Sequence, residues 1–272
     1  MNHNMAQDKI RVVVVGAKGR MGRETVRAVL NDPELELVGC VDRTLNDVAV
    51  SAVLGHESNG VKFSNDLVKT LIDTNADVMV DFTTPATMKA NIDKAIELGV
   101  RPVVGTTGMT PEEIANWDQA CKDRGIGGLI APNFAIGAIL MMRFAQQASR
   151  YLPHVEIIEM HHDQKLDAPS GTAIKTLELI AQERQAVQQG HPNEHETIPG
   201  SRGGEFDGMR VHSVRLPGYV AHQQVIFGGL GQTLTIRHDS INRESFMPGV
   251  VMSCKQVMKY EGLVYGLENL LD

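Results

Sequence analysis

Ile10 to Val15, IRVVVV, is dominated by β-branched residues and bounded by Gly16, which predicts a strand buried on both faces. The chain then turns through GAKGRMG, Gly16 to Gly22, and Arg23 to Asn31 carries Val26, Val29 and Leu30 at helical spacing before Asp32-Pro33 stops it. Leu35 to Val41, LELVGCV, is the next strand and ends in Asp42-Arg43, completing a βαβ unit that calls for a right-handed crossover and a parallel sheet. The alternation continues with strands at Ala76–Phe82, Val100–Val104 and Gly127–Ile130 and helices at Thr87–Leu98 and Pro111–Asp123. The strands end in small polar runs, DFTT from Asp81 and GTTG from Gly105. In an open parallel sheet such endings line the ligand-binding edge, on the same side as the glycine turn.

Beyond Phe134 the rhythm changes. A helical stretch runs to about Arg150, a strand follows at Val155–Met160, and a helix starts after Ser170. Gln188 to Gly208, rich in polar residues, Pro and Gly, reads as a loop, and three strand-like runs follow without helices between them: Met209–Leu216, Gln223–Phe227 and Gln232–His238. The last residues, Phe246 to Asp272, read as helix that packs back on the first domain. The expected fold is therefore α/β: a Rossmann-like doubly wound parallel sheet from residues 1–134 and 243–272, and a second α+β domain with a mixed or antiparallel sheet from 135–242.

Composition narrows the class. A chain of 272 residues with 42% hydrophobic and 22% charged residues is globular and long enough for two small domains. A net charge of −7 argues against a general nucleic-acid or anionic-membrane binder, so any anionic ligand has to be met by a local basic site. The longest apolar stretches, such as Val12–Ala17 and Ala135–Met142, fall far below the roughly 20 residues of a membrane helix. Cys40, Cys121 and Cys254 stand singly, in no zinc or disulfide spacing, and read as buried thiols of a reducing compartment. The first eight residues carry no signal-peptide pattern and read as a loose tail, which makes the cytoplasm the expected location.

Two segments carry chemistry. The turn G-x-x-G-x-x-G opens a helix, whose free N–H groups and positive dipole end attract a pyrophosphate, although Lys18 stands where the usual dinucleotide fingerprint has its second glycine. Asp42, 20 positions beyond Gly22, suits the ribose hydroxyls of NAD, and Arg43 suits the 2′-phosphate of NADP. A tight turn, a capping carboxylate and a solvated arginine are the plainer readings of the same residues. The second segment, Glu156 to Ala173, reads EIIEMHHDQKLDAPSGTA. Adjacent His161 and His162 at a strand end point in different directions, Lys165 follows within reach, and Ser170-Gly171-Thr172 opens a helix as a second anion site. Holding a metal on His161, His162 and Asp163 is an alternative that the divergent directions disfavour, and no metal is expected.

The segment Glu156 to Ala173 closely resembles the signature of the 4-hydroxy-tetrahydrodipicolinate (dihydrodipicolinate) reductase family of lysine and diaminopimelate biosynthesis. GAKGRMG, DFTTP at Asp81–Pro85, GTTG at Gly105–Gly108 and APNF at Ala131–Phe134 resemble it too, in the same order. The resemblance implies an oxidoreductase that uses NADH or NADPH to reduce a cyclic imine dicarboxylate. In it Gly16, Ala17, Lys18, Gly19, Arg20 and Met21 hold the pyrophosphate and Asp42 and Arg43 the ribose. Gly105, Thr106 and Thr107 face the nicotinamide, and Ala131, Pro132, Asn133 and Phe134 form the cofactor edge towards substrate. His161 is then the proton donor or acceptor and Lys165 the second proton donor, while His162, Ser170, Gly171 and Thr172 take the substrate carboxylates. A homotetramer built through the second domain's sheet is also implied. With cofactor and substrate on different domains, closure over both about a hinge near Phe134 and Ile241–Arg243 is expected. Asp42 stands where several members have Glu, which leaves the choice between the two cofactors open. Another nicotinamide-dependent dehydrogenase of a small acid, or a cofactor-reading regulatory module, are the alternatives; the module has no need of His-His and Lys beside an anion site.

Overall fold

The computed structural model describes residues 9–271; the expected N-terminal tail, residues 1–8, lies outside them. Internal contacts divide the chain into two units, Met1–Phe134 with Phe246–Asp272, and Ala135–Ser245.

In the first unit the chain runs β1 (Ile10–Val15), α1 (Arg20–Asn31), β2 (Leu35–Val41), β3 (Val48–Ala49), α2 (Val50–Leu54), β4 (Lys62–Ser64), α3 (Leu67–Asp73) and β5 (Val78–Asp81). It continues through α4 (Pro85–Glu97), β6 (Arg101–Val104), α5 (Pro111–Arg124) and β7 (Gly127–Ile130). The sheet order is β7-β6-β5-β1-β2-β4-β3, parallel except for the β3–β4 pair. Val12, Val13 and Val14 are fully buried, as a strand covered on both faces requires. The chain leaves β1 on one side to form β2 and later returns on the other as β5, so the switch point lies at the carboxyl ends of β1 and β5.

Three differences from the sequence pattern arise here. Helix α1 starts at Arg20 rather than Arg23, because the glycine turn passes straight into helix. Residues 48–73, for which the pattern predicts no element, hold two very short strands and two short helices. The C-terminal segment is not all helix: α8 (Met247–Gln256), which the chain enters after the second unit, is succeeded by β13 (Gly262–Tyr265), which pairs parallel with β7 and completes an eight-stranded sheet. Leu263 of this strand joins Trp117, Ile92, Ile96 and Ile130 in one apolar cluster.

The second unit holds α6 (Ile136–Ser149), β8 (His154–His161), α7 (Gly171–Glu183), β9 (Gly204–Phe206), β10 (Met209–Arg215), β11 (Ala221–Gly229) and β12 (Gln232–Ser240). Its sheet, ordered β12-β11-β8-β10-β9, is mixed: β8 and β10 are parallel and the other neighbours antiparallel. Gln188–Gly208, expected as loop, thus contributes the short edge strand β9. Alternate residues of β8 and β11, Val155 and Ile157 with Val225 and Phe227, are buried with Leu177 and Ile180 of α7. Among the described residues no helix is long and apolar enough to cross a membrane.

Candidate active site

The carboxyl ends of β1, β2 and β5 enclose a cleft of about 550 Å³ in the first unit, lined among others by Gly16, Lys18, Gly19, Asp42, Arg43 and Thr83. Gly16 sits at φ 74° in the left-handed region, and a Cβ on Gly22 would lie 2.1 Å from the Gly16 carbonyl oxygen, so only glycine lets α1 begin this close to β1. No side chain caps the N-terminus of α1. Its leading N–H groups, on Arg20 and Met21, belong to a start that is backbone-lined and electropositive, which fits a pyrophosphate. Ala17 is buried beneath the turn, its N–H donating to the Val41 carbonyl at 3.3 Å.

Asp42 accepts from the Thr44 N–H at 3.0 Å and the Thr44 hydroxyl at 2.7 Å through one oxygen, which leaves the other for a ribose hydroxyl. Lys18 donates to the same Thr44 hydroxyl at 3.3 Å, and Arg43 is exposed. Thr44 is a residue that the motif reading missed; an Asx turn after the acid of strand two was the available signal.

A residue that the sequence pattern places at the ligand-binding edge without a role of its own orders the far side. Asp81, fully buried at the end of β5, accepts from the Thr83 N–H (2.7 Å) and hydroxyl (2.6 Å) and from the Asn91 amide (2.7 Å). Burial pushes its carboxyl above the ordinary range, against those hydrogen bonds. The turn so formed carries Phe82, whose ring meets Phe134 edge-on with centroids 5.7 Å apart. Gly105 leaves room for the same ring, and the Thr106 hydroxyl donates to the Thr83 carbonyl at 3.1 Å. The segments Gly105–Thr107 and Ala131–Phe134 therefore converge on Phe82, with Ala131 buried and Thr107 and Pro132 exposed.

In the second unit, His161 is the last residue of β8. Its Nδ1 lies 2.5 Å from Oε2 of Glu159, two positions earlier on the same face of the strand. Glu159 has no exposed side-chain surface, and Arg215 of β10 grips both of its oxygens, at 2.7 and 2.9 Å. Burial raises the Glu159 carboxyl, but hydrogen bonds from His161, Arg215 and Ser213 outweigh it and bring the pKa down to about 2. The Ser170 N–H also reaches Glu159, at 3.2 Å, while the Ser170 hydroxyl caps α7 by accepting from the Ala173 N–H at 3.2 Å. Gly171 is exposed and Thr172 half-buried in the opening turn. Lys165 donates to Asp167 at 2.6 Å, which holds that carboxylate below its usual range. His162 is exposed, as the alternation along a strand end requires. Glu159 and Arg215 were not singled out from sequence. The signal was there for Glu159, an acid in register with the inward row Val155 and Ile157. Among the described residues no group of three or more His, Cys, Asp or Glu side chains is placed to hold a metal ion.

Two family models match the chain: dihydrodipicolinate reductase, N-terminus, over residues 10–134, and dihydrodipicolinate reductase, C-terminus, over residues 137–271. The chain belongs to the dihydrodipicolinate reductase family. It is 56% identical over 263 residues to the 4-hydroxy-tetrahydrodipicolinate reductase of Halalkalibacterium halodurans, covering 97% of this chain and 100% of the relative. With the reductase of that name from Bacillus subtilis it shares 52% over 268 residues, 98% of this chain and 100% of the relative. A solved dihydrodipicolinate reductase from Paenisporosarcina sp. TG-14, described as dipicolinate-bound, matches with a TM-score of 0.87 at 48% identity, covering 97% of this chain and 100% of that one. An amine dehydrogenase of Mycobacterium smegmatis, with a TM-score of 0.69 at 15% identity over 97% of this chain and 96% of its own, shares the fold alone. Membership of the dihydrodipicolinate reductase family makes the unit with the glycine cleft a dinucleotide-binding one, and the His161 cluster lies in the other unit, beside a helix start.

Proposed function

We propose that the protein reduces 4-hydroxy-tetrahydrodipicolinate to tetrahydrodipicolinate with NADH or NADPH, in the cytoplasm, as a step of lysine and diaminopimelate biosynthesis. The observation that carries this reading is the second-unit cluster: a histidine braced by a buried carboxylate, a lysine and a capped helix start together, in a chain 56% identical to a reductase of that name.

The first unit's own residues suit the cofactor. Gly16, Ala17, Lys18, Gly19, Arg20 and Met21 hold the pyrophosphate, Asp42 and Arg43 the ribose end, and Gly105–Thr107 with Ala131–Phe134 the nicotinamide end. When bound, the dihydronicotinamide supplies a hydride to ring carbon four of the unsaturated imine left after the substrate loses its hydroxyl as water.

Negative charge then moves towards the ring nitrogen, and a cationic donor there lowers the barrier. His161 gives a proton to the ring, and Lys165, leaving its pairing with Asp167, stabilises the charge and acts as second donor. The two ring carboxylates sit on the opening turn of α7, Ser170 to Thr172, and on His162, which is how a chain of net charge −7 takes a dianion. The 2,6-dicarboxylate dipicolinate is a planar stand-in for that ligand and the natural probe of this subsite.

A homotetramer formed through the second unit's sheet is part of the same proposal. The fully exposed Leu230 and the half-exposed Leu234, at the edge strand β12 and its hairpin, support it, and light scattering that returned the mass of one or two chains would remove it.

The function is tested by following NADH and NADPH oxidation with the imine made in place by dihydrodipicolinate synthase. Wild-type turnover that falls by about two orders of magnitude or more in His161→Ala and in Lys165→Ala, with NADH affinity unchanged, is the expected result. No wild-type turnover with either cofactor would overturn it.

A further inference from the structure

Glu159 has no part in the proton transfers themselves, yet several partners from different elements of the second unit hold it. A carboxylate without exposed surface in the inward row of a strand is costly unless every lone pair is met. Here they are met by the His161 ring, by both terminal nitrogens of Arg215, by Ser213 and by the Ser170 N–H. Arg215 also donates to the Asp167 carbonyl at 2.7 Å. A buried carboxylate and its half-buried arginine therefore touch the end of β8, the loop that carries Lys165, and the start of α7.

We infer that Glu159 is a positioning residue that fixes the proton of His161 on Nδ1, making Nε2 the atom that exchanges protons with substrate, while it pins the carboxylate-binding turn at Ser170. This rests on the reading of His161 as the proton donor. The chemistry is that of acceptor and donor counting. An ionised carboxylate only accepts, so an imidazole nitrogen 2.5 Å from it has to be the N–H side of the ring. Neutral His161 then presents a lone pair at Nε2, and its protonated form presents an N–H there. The ring cannot offer the wrong tautomer, and each proton given up at Nε2 is regained at the same atom. The charged and polar groups that meet this contact are Arg215 and Ser213 from β10 and the Ser170 N–H at the start of α7; Arg215 also holds the carbonyl of Asp167, whose carboxylate pairs with Lys165, and opposite His161 on β11 stands Ala221, which does not titrate. Arg215 keeps the carboxylate ionised when the histidine loses its charge, so the lock holds through a catalytic cycle.

The test is nitrogen-15 NMR of protein labelled at histidine, with the His161 signals assigned by their loss in His161→Ala, beside steady-state kinetics of Glu159→Gln. In the wild type, neutral His161 is expected to carry its proton on Nδ1. A wild-type spectrum with the proton on Nε2 overturns the inference, whatever the kinetics. In Glu159→Gln, whose amide can donate or accept, a second tautomer should appear and kcat should fall by about tenfold to a thousandfold. The NADH dissociation constant should stay within about twofold, because the glycine cleft is untouched. A variant that keeps wild-type kcat and a single tautomer overturns the inference too. Should Glu159→Gln not fold, the wild-type spectrum decides alone. A wild type without reductase turnover removes the proposed function, whereas an Nε2 proton in an active wild type removes only the role of Glu159.

Discussion

Two buried carboxyls answer pH in opposite directions. Glu159 is pulled from 4.5 to about 2 by its partners, so the unfolded chain takes up its proton at higher pH than the folded one does. Its contribution is full above the unfolded value and lost as pH falls towards the folded one. Urea unfolding followed by circular dichroism should lose a few kcal/mol between about pH 5 and pH 3, and Glu159→Gln should lose less over that window. Equal losses in both proteins would place the acid sensitivity elsewhere. Asp81 is the reverse case. Burial raises its carboxyl, so its contribution is full below the ordinary value of 3.8 and fades as pH climbs through the folded one. A neutral amide that preserves the bonds from Thr83 therefore costs little near neutrality. Asp81→Asn should change stability by less than about 1 kcal/mol there, while Asp81→Ala, which strands the Thr83 and Asn91 donors, should cost about 2–4 kcal/mol. Chemical denaturation of the two variants separates these outcomes, and equal losses would reject the account of Asp81.

At the scale of elements, the C-terminal strand is the sharpest case. Strand β13 is four residues, GLVY, and pairs with β7 about one half of the chain away in sequence. Leu263 fills a cluster against Trp117, the chain's single tryptophan, whose indole donates to Asp93 at 2.7 Å. Leu263→Ala should cost about 2–4 kcal/mol, read directly by tryptophan fluorescence during urea unfolding. A loss under about 0.5 kcal/mol would mean that β13 is dispensable to the sheet. That strand was not legible as one, because a short apolar run after a helix looks the same in either state and its partner is remote. The elements between β2 and β5 escaped for a related reason: β3 and β4 have two and three residues, too few for any period to show, and Phe63 is their one deeply buried side chain. Long, strongly patterned elements were readable throughout, from β1 with its glycine turn to the alternating strands β8 and β11. The site divides the same way. His161, Lys165 and the Ser170 cap stood out because rare residue types cluster in sequence. Arg215 did not, because only the parallel pairing of β8 with β10 brings it to Glu159.

Over the whole molecule, the two units carry groups of different kinds, and this permits a crossed test of how binding is divided. The first unit offers backbone: a glycine turn, an uncapped helix start and small polar strand ends, with Gly22 so close to Gly16 that any side chain must displace main chain. Gly22→Ala should weaken NADH binding by at least about tenfold, since a 2.1 Å approach to a carbonyl oxygen cannot be relieved by a rotamer. It leaves the cluster of His161, Lys165 and Ser170 as it is, so dipicolinate should still bind within about twofold of wild type. The second unit offers side-chain charge instead. Lys165→Ala should therefore weaken dipicolinate by about tenfold or more and leave NADH alone. Calorimetric titration of both variants with both ligands gives four numbers, and the crossed pattern is the expected one. If Gly22→Ala lost both ligands, the dicarboxylate would depend on the nucleotide unit, and the assignment of substrate recognition to residues 135–245 would have to be abandoned. If Lys165→Ala lost neither, the lysine would be left as the partner of Asp167, and its part in stabilising charge on the ligand would be rejected.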